Sequence, residues 1–333
     1  MFDTVGVLIV IVLIALFAFL TARAWKLKNA ILKWGGMIIA GLLTLISTAM
    51  LVLALVGFYK LNERFDNPIA NTQVTGTDAQ IARGEQLAHI CTNCHTTDGQ
   101  LPLSGTNFVA KFPSPPMGTL YAPNLTPAGN IKDWTDGEVI RAIREGLHKN
   151  GRALLIMPSN IFRNMSDDDV QALVAYLRSQ PATGEVSPNS QFNLLGALFI
   201  NLSDFRSAQQ PVGSVTAPQP GTPEYGKYMV DILLCRNCHG DQLQGRADNG
   251  QPGPPPGPNL TLIVPQWSEE QFMTFFNTGE LPGGKTVPII TLPSGFSEPR
   301  MPWPMVRAAT TDEELMAMYA YLHNLPLVEG PAK

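Results

Sequence analysis

All four cysteines of this 333-residue chain fall in two C-x-x-C-H strings, CTNCH from Cys91 to His95 and CRNCH from Cys235 to His239. A C-x-x-C pair alone suits a thioredoxin-like redox couple, and four cysteines together suit a zinc ribbon. Neither needs a histidine directly after the second cysteine, twice. That arrangement is the signature of c-type haem attachment: two thiols add across the two haem vinyl groups, and the adjacent imidazole comes beneath the ring as proximal iron ligand. The expectation is two covalently attached haem c groups, one on Cys91 and Cys94 with His95 as iron ligand, the other on Cys235 and Cys238 with His239.

The second constraint is at the start of the chain. Val5 to Ala22 and Met37 to Tyr59 contain no ionisable acid or base that is charged at neutral pH, and each is long enough to cross a hydrocarbon core of about 30 Å. A cleaved secretory signal fits the first stretch poorly, because Arg23, Lys26, Lys28 and Lys33 follow the apolar run instead of preceding it. The positive-inside rule makes the intervening loop cytoplasmic, so that the N-terminus and everything after Tyr59 lie on the outer, extracytoplasmic face of a two-helix, multi-pass cell-membrane anchor. That is the compartment in which c-type haem is attached.

Charge is distributed unevenly. Residues 1–65 hold six Lys/Arg against two Asp/Glu, leaving seventeen against twenty-five in the remainder. An acidic outer portion argues against nucleic acid or anionic lipid as a partner and permits one with a basic docking face.

The two motifs sit in units that resemble each other in order. In the first, the haem motif is followed by PNLT (Pro123–Thr126), Trp134, the pair Met157-Pro158 and SDDDVQALVAYLRSQP. In the second it is followed by PNLT (Pro258–Thr261), Trp267, Met301-Pro302 and TDEELMAMYAYLHNLP. Gly84–Ile90 and Gly226–Leu234 read as short helices that deliver the motifs. The last segment of each unit is a helix opened by Ser166 or Thr311 as N-cap, with acidic residues in its first turn. Val170, Leu173, Val174 and Leu177, and likewise Leu315, Met318, Tyr319 and Leu322, form apolar stripes at helical spacing that pack against the motif-bearing helix.

These features resemble the class I cytochrome c fold. GTLYAPNLTP, DWTDGEVIRAIREGLHKNGR, the Met-Pro pair and MSDDDVQALVAYLRSQP make the first unit similar to domains of the multihaem cytochrome c subunits of membrane-bound alcohol, aldehyde and sugar-acid dehydrogenases. The second unit matches more loosely, with a longer loop from Thr278 to Arg300. The expected architecture is mainly α: an anchor of two N-terminal transmembrane helices (residues 1–65), a first class I cytochrome c domain (75–182), a Pro/Ser/Gln/Gly-rich linker (183–224) and a second cytochrome c domain (225–330). Within the linker, FNLLGALFINL (Phe192–Leu202) is too short to span a membrane and reads as buried core, with a strap on a domain or on the membrane surface as the alternative.

An electron-transfer haem needs a second strong axial ligand that closes the iron to oxygen and peroxide. Met117, Met157 and Met165 are candidates in the first unit. Met157 precedes a proline in a loop well after the proximal histidine and matches the family position, whereas Met165 abuts the last helix and reads as a hydrophobic staple. In the second unit Met301 and Met305 share MPWPM, and Met301 aligns with Met157. His89, His148 and His323 compete weakly; Trp134 and Trp267 are either core residues or donors to a propionate. Met157 and Met301 are therefore the expected distal ligands.

The expected function is that of a non-catalytic electron-transfer subunit of a larger membrane oxidoreductase, with the membrane, other subunits, and a soluble cytochrome c or copper protein as partners. The alternatives are a dihaem subunit of a terminal oxidase or quinol-oxidising complex and, from a different class, a dihaem peroxidase, which would need one sixth site that opens.

Overall fold

The structure is a computed structural model describing residues 3–111, 116–203, 205–248, 255–291 and 297–331. Among the described residues nine helices have ten or more residues: α1 (Thr4–Trp25), α2 (Ala30–Asn62), α3 (Asp78–Ala88), α4 (Asp136–Glu145), α5 (Asp167–Ser179), α6 (Leu194–Ser203), α7 (Pro223–Ile232), α8 (Glu269–Thr278) and α9 (Asp312–His323). Among the described residues the strands are two or three residues long and form two-stranded pairs.

Helices α1 and α2 pack on each other as a hairpin. At 1.5 Å per residue they are about 33 Å and about 50 Å long, and most of their large apolar side chains face outward. Asn29 caps α2 by accepting from the amides of Ile31 and Leu32, and of the basic cluster Lys26 and Lys28 lie in the turn, with Arg23 in the last turn of α1 and Lys33 in the first turn of α2.

In the first repeat α3 crosses α5, and in the second α7 crosses α9. Each crossing turns on a glycine. A Cβ on Gly84 would stand 1.9 Å from the Ala172 carbonyl oxygen, and one on Gly226 would stand 1.9 Å from that of Ala317. The helix expected from Gly84 begins earlier, at Asp78, because Thr77 and Gln80 form a capping box. The predicted caps on α5 and α9 hold: Ser166 accepts from the Asp169 amide, and Thr311 closes a capping box with Glu314. Helices α4 and α8 also correspond. Both open with a capping box, Thr135 with Glu138 and Ser268 with Gln271, and both end at a left-handed glycine, Gly146 or Gly279. The longer loop of the second repeat contains two small hairpins, Glu280–Leu281 with Lys285–Thr286 and Ile289–Thr291 with Ser297–Pro299.

Much of the linker is pinned to the first repeat. The carbonyls of Thr183 and Glu185 accept from the Asn124 amide, that of Ser187 accepts from Asn130, and Gln191–Phe192 pairs with Gly118–Thr119. The apolar run inside it becomes α6, which buries Ala197 and Ile200 against Ala54, Phe58 and Leu61 of α2. It does fill a core, but one shared with the anchor and separate from the core of the repeats.

The two repeats share a single apolar core drawn from α3, α5, α7, α8 and α9. At its polar centre Arg83 of α3 pairs with a carboxylate from each repeat, Nε with Asp169 at 2.8 Å and Nη1 with Glu314 at 2.7 Å. Tyr225 donates to Glu314 at 2.9 Å and Tyr228 to Asp169 at 2.6 Å, while Arg83 Nη2 reaches the Tyr225 hydroxyl at 3.3 Å. Arg83 and Tyr225 each precede a crossing glycine, and Asp169 and Glu314 are each the third residue of a helix, so the network joins equivalent positions. The packing is reciprocal as well. The short helix Trp303–Ala308, which follows Met301-Pro302, lies against His89–Cys91 at the entry to the first motif, and Ser159–Phe162, which follows Met157-Pro158, lies against α7.

Candidate functional site

The first C-x-x-C-H string continues directly from α3. Cys91 ends a 3-10 turn, His89–Cys91, and Cys94 and His95 lie in the helical turn Thr92–His95. The second string is one short helix, Cys235–His239, entered through Leu234 in a left-handed conformation. No disulfide joins either pair. Burial pushes the Cys91 and Cys235 thiols up to about 12, which is the setting of apolar thiols and not of a reactive redox pair.

Both histidines are buried and held alike. His95 Nδ1 lies 2.8 Å from the Pro123 carbonyl oxygen, and His239 Nδ1 lies 2.8 Å from that of Pro258. A carbonyl can only accept, so Nδ1 carries the hydrogen and Nε2 keeps its lone pair, the tautomer that a metal-ligating imidazole needs. Burial lowers the affinity of both rings for a proton, only partly offset by the carbonyl bond, and so favours the neutral, ligating form.

The PNLT strings provide those carbonyls and the clamps that fix them. Asn124 accepts from the Thr126 amide at 2.8 Å and donates to the Thr183 carbonyl at 2.8 Å. Asn259 accepts from the Thr261 amide at 2.9 Å and donates to the Val328 carbonyl at 2.8 Å. Gly257 lets the loop approach the ring, since a Cβ there would stand 2.7 Å from the His239 imidazole. The repeated PNLT string is the sequence signal for this role, since in both copies its proline carbonyl meets the histidine ring and its asparagine clamps the turn that follows.

A narrow apolar cleft opens above His95, lined by Leu87, Ile90, Cys91, Leu125, Ile143, Met157, Phe162, Met165, Leu173 and Leu177. Cysteine, histidine and candidate methionine thus converge on one cavity. A flat apolar macrocycle with two thioether links and an imidazole below it fits this donor set. Met157 is partly buried between Ile156, a strained β-branched residue at φ 63°, and Pro158. Met165 also lines the cleft and is fully buried; as the residue before the cap it shares the core with Val170, the staple pairing. In the second repeat Met301 and Met305 are both partly buried against the same core as Cys235 and Trp267.

The competing candidates lie off the cleft wall. His148 sets its ring against Trp134 with centroids 4.7 Å apart and bonds Asn150, while His323 lies on Tyr319 at 4.9 Å. His89 is partly exposed at the end of α3. The Met117 carbonyl accepts from Asn193, which ties that segment to the start of α6. Trp134 is buried, and Trp267 packs on Phe275 while its carbonyl accepts from Tyr319. The Arg83 network has no local sequence signature, because its members are scattered from position 83 to position 314.

Comparison with known proteins points the same way. The chain is 34% identical to the cytochrome c subunit of alcohol dehydrogenase (quinone) from Gluconobacter oxydans, over 75% of this chain and 56% of that protein. It is 32% identical to the gluconate 2-dehydrogenase cytochrome c subunit of Pantoea cypripedii, over 49% of this chain and 38% of that one. It is 26% identical to the fructose dehydrogenase cytochrome subunit of Gluconobacter japonicus, over 50% and 34%. The chain therefore spans between 34% and 56% of the length of these relatives. Residues 81–181 match the family model for cytochrome c, and since that span also holds the buried, carbonyl-held His95 beside Cys91 and Cys94, this part of the chain is a cytochrome c domain, of the family whose haem c is covalently bound.

Proposed function

We propose that the chain is an electron-transfer subunit with two haem c groups, one per repeat, passing electrons between a membrane redox complex and a donor or acceptor on the outer face. The observation that carries the reading is the twinned motif geometry, in which two C-x-x-C-H strings present buried histidines locked by proline carbonyls into one tautomer. The haem iron would supply the one-electron chemistry. The chain's own residues do the rest. Cys91, Cys94, Cys235 and Cys238 would tether the two groups, His95 with Met157 and His239 with Met301 would ligate the irons, and the apolar wall beside His95 would exclude water. Residues 75–182 and 225–330 act as the two cytochrome units. The named relatives are subunits of dehydrogenases, which supports a membrane-bound dehydrogenase as the source of electrons.

A pyridine haemochrome assay on the purified chain is expected to give two haem c per polypeptide that survive denaturation and acidic solvent extraction. Cys94→Ala and Cys238→Ala should each halve that figure. A value of one in the parent chain would remove the second haem from the reading, and zinc in place of haem would remove both.

Helices α1 and α2 are proposed as spans with the repeats outside, because Arg23, Lys26, Lys28 and Lys33 cluster at the far end of the hairpin from α6 and the repeats. A cysteine placed at position 27 should react with an impermeant maleimide only after the cell is opened. Equal labelling in intact cells would reverse the topology.

A further inference from the structure

The linker helix α6 is apolar on all sides from Leu194 to Ile200, has polar residues only at Asn201 and Ser203 in its last turn, and carries no charged side chain. One face is packed. Gly57 of α2 admits it so closely that a Cβ there would stand 1.8 Å from the Ala197 carbonyl oxygen. The other face is open, with Leu195 43% and Leu202 68% exposed, one above the other seven residues apart. Two further open apolar side chains adjoin it, Phe205 at 36% and Ile156 at 43%, whose backbones are joined by a hydrogen bond of 2.9 Å from the Ile156 amide to the Phe205 carbonyl. A helix apolar on every side is stable only if every side is covered.

The level of α6 on the anchor says what covers it. Between Lys33 and Lys60 α2 carries no charge, a length of about 40 Å, which exceeds the hydrocarbon core by about 10 Å. Helix α6 packs on the surplus, against Ala54, Phe58 and Leu61. Its first amide donates to Asp3, the cap of α1, at 3.1 Å, and so sits level with the outer end of that span as well. Polar groups begin at this level: Lys60 donates to the Asn201 carbonyl at 3.2 Å, and Arg206 pairs with Glu63. Below this level α2 exposes further apolar side chains, Leu45, Ile46 and Val52 among them, and above it the charged groups begin.

We propose that α6, with Phe205 and Ile156, is a membrane-interfacial docking surface, its open face seated at the boundary between phospholipid headgroups and acyl chains. It rests on the reading of α1 and α2 as spans. Because Leu155 packs in the anchor cluster while Met157, two residues on, packs in the core of the repeats, this seat turns the candidate distal-ligand loop of the first repeat toward the bilayer.

The test uses the full-length holoprotein in nanodiscs of phosphatidylethanolamine and phosphatidylglycerol, with photoreactive benzoylphenylalanine in place of Leu202 or, separately, of Leu195. Ile46 in α2 and Lys285 in the hairpin of the second repeat serve as references, both exposed. Irradiation is expected to add the mass of one phospholipid at positions 202, 195 and 46 and none at 285. Absence of lipid adduct at 202 and 195 while 46 still forms one overturns the proposal, whether the probe is unreacted in water or joined to another protein. Absence at 46 overturns instead the spans on which it stands.

Discussion

Replacing Met157 by alanine is expected to abolish one of two thioether-to-iron signatures, open that haem to carbon monoxide, and lower its potential by on the order of a hundred millivolts or more, within the ~0.8 V that axial ligands command. Covalent attachment should be untouched, since Cys91 and Cys94 are unaltered. The same should hold for Met301→Ala at the other haem. The control is informative because Met165 lines the same cleft and is 1% exposed. Met165→Ala should cost about 2–5 kcal/mol of stability through the cavity it leaves, yet retain both signatures. The geometric distinction is that Met157 is held by Pro158, which fixes its own φ and restricts the residue before it, whereas Met165 is committed to the staple under α5. Loss of the signature in the Met165 variant, with retention in Met157→Ala, would exchange the two roles. Met305→Ala is the corresponding control in the second repeat.

Arg83→Ala is expected to lower stability by about 3–5 kcal/mol, the range for removing one partner of a buried ion pair. The Arg83 side chain is 20% exposed and the carboxylates that it bridges are 10% and 8% exposed, so water compensates poorly for its loss. Arg83→Lys should recover part of the loss, because an ammonium can neutralise but cannot offer a fork to two carboxylates and a tyrosine hydroxyl at once. Denaturant titration followed at each haem's absorbance is the measurement. The parent chain should show one coincident transition and the alanine variant two. Unaltered midpoints in Arg83→Ala would show that the apolar core alone holds the repeats together.

What the sequence made legible follows from range. The haem motifs, the caps at Ser166 and Thr311 and the stripe through Val170, Leu173, Val174 and Leu177 are governed by neighbours within one or two turns, so spacing reports them directly. The two units were visible because the same short-range signals recur in the same order. Arg83 was not, since nothing near Asp78–Ala88 distinguishes a surface arginine from one facing Asp169 and Glu314 across a chain reversal. The destination of Leu194–Ser203 was also hidden: apolar content tells that a segment is to be covered, and not whether the cover is α2 or a repeat. Met157 and Met165 are separable in the sequence through Pro158, the repeat position shared with Met301 and the staple position of Met165, whereas burial places both on the same wall.

The reciprocal packing of the repeats has the form of an isologous contact, in which a region of one half meets its counterpart's neighbour and the converse contact follows. Such a surface is one that a single-repeat protein could make with a copy of itself. Joining the halves through residues 183–224 turns association into an intramolecular event, at an effective concentration on the order of millimolar for a flexible tether and higher for one pinned along its length. The pairing of the two sites is thereby independent of how dilute the protein is in the membrane. It also permits one asymmetric pair of side chains, arginine at position 83 and tyrosine at 225, where two identical chains would be obliged to place the same residue on both sides of the axis.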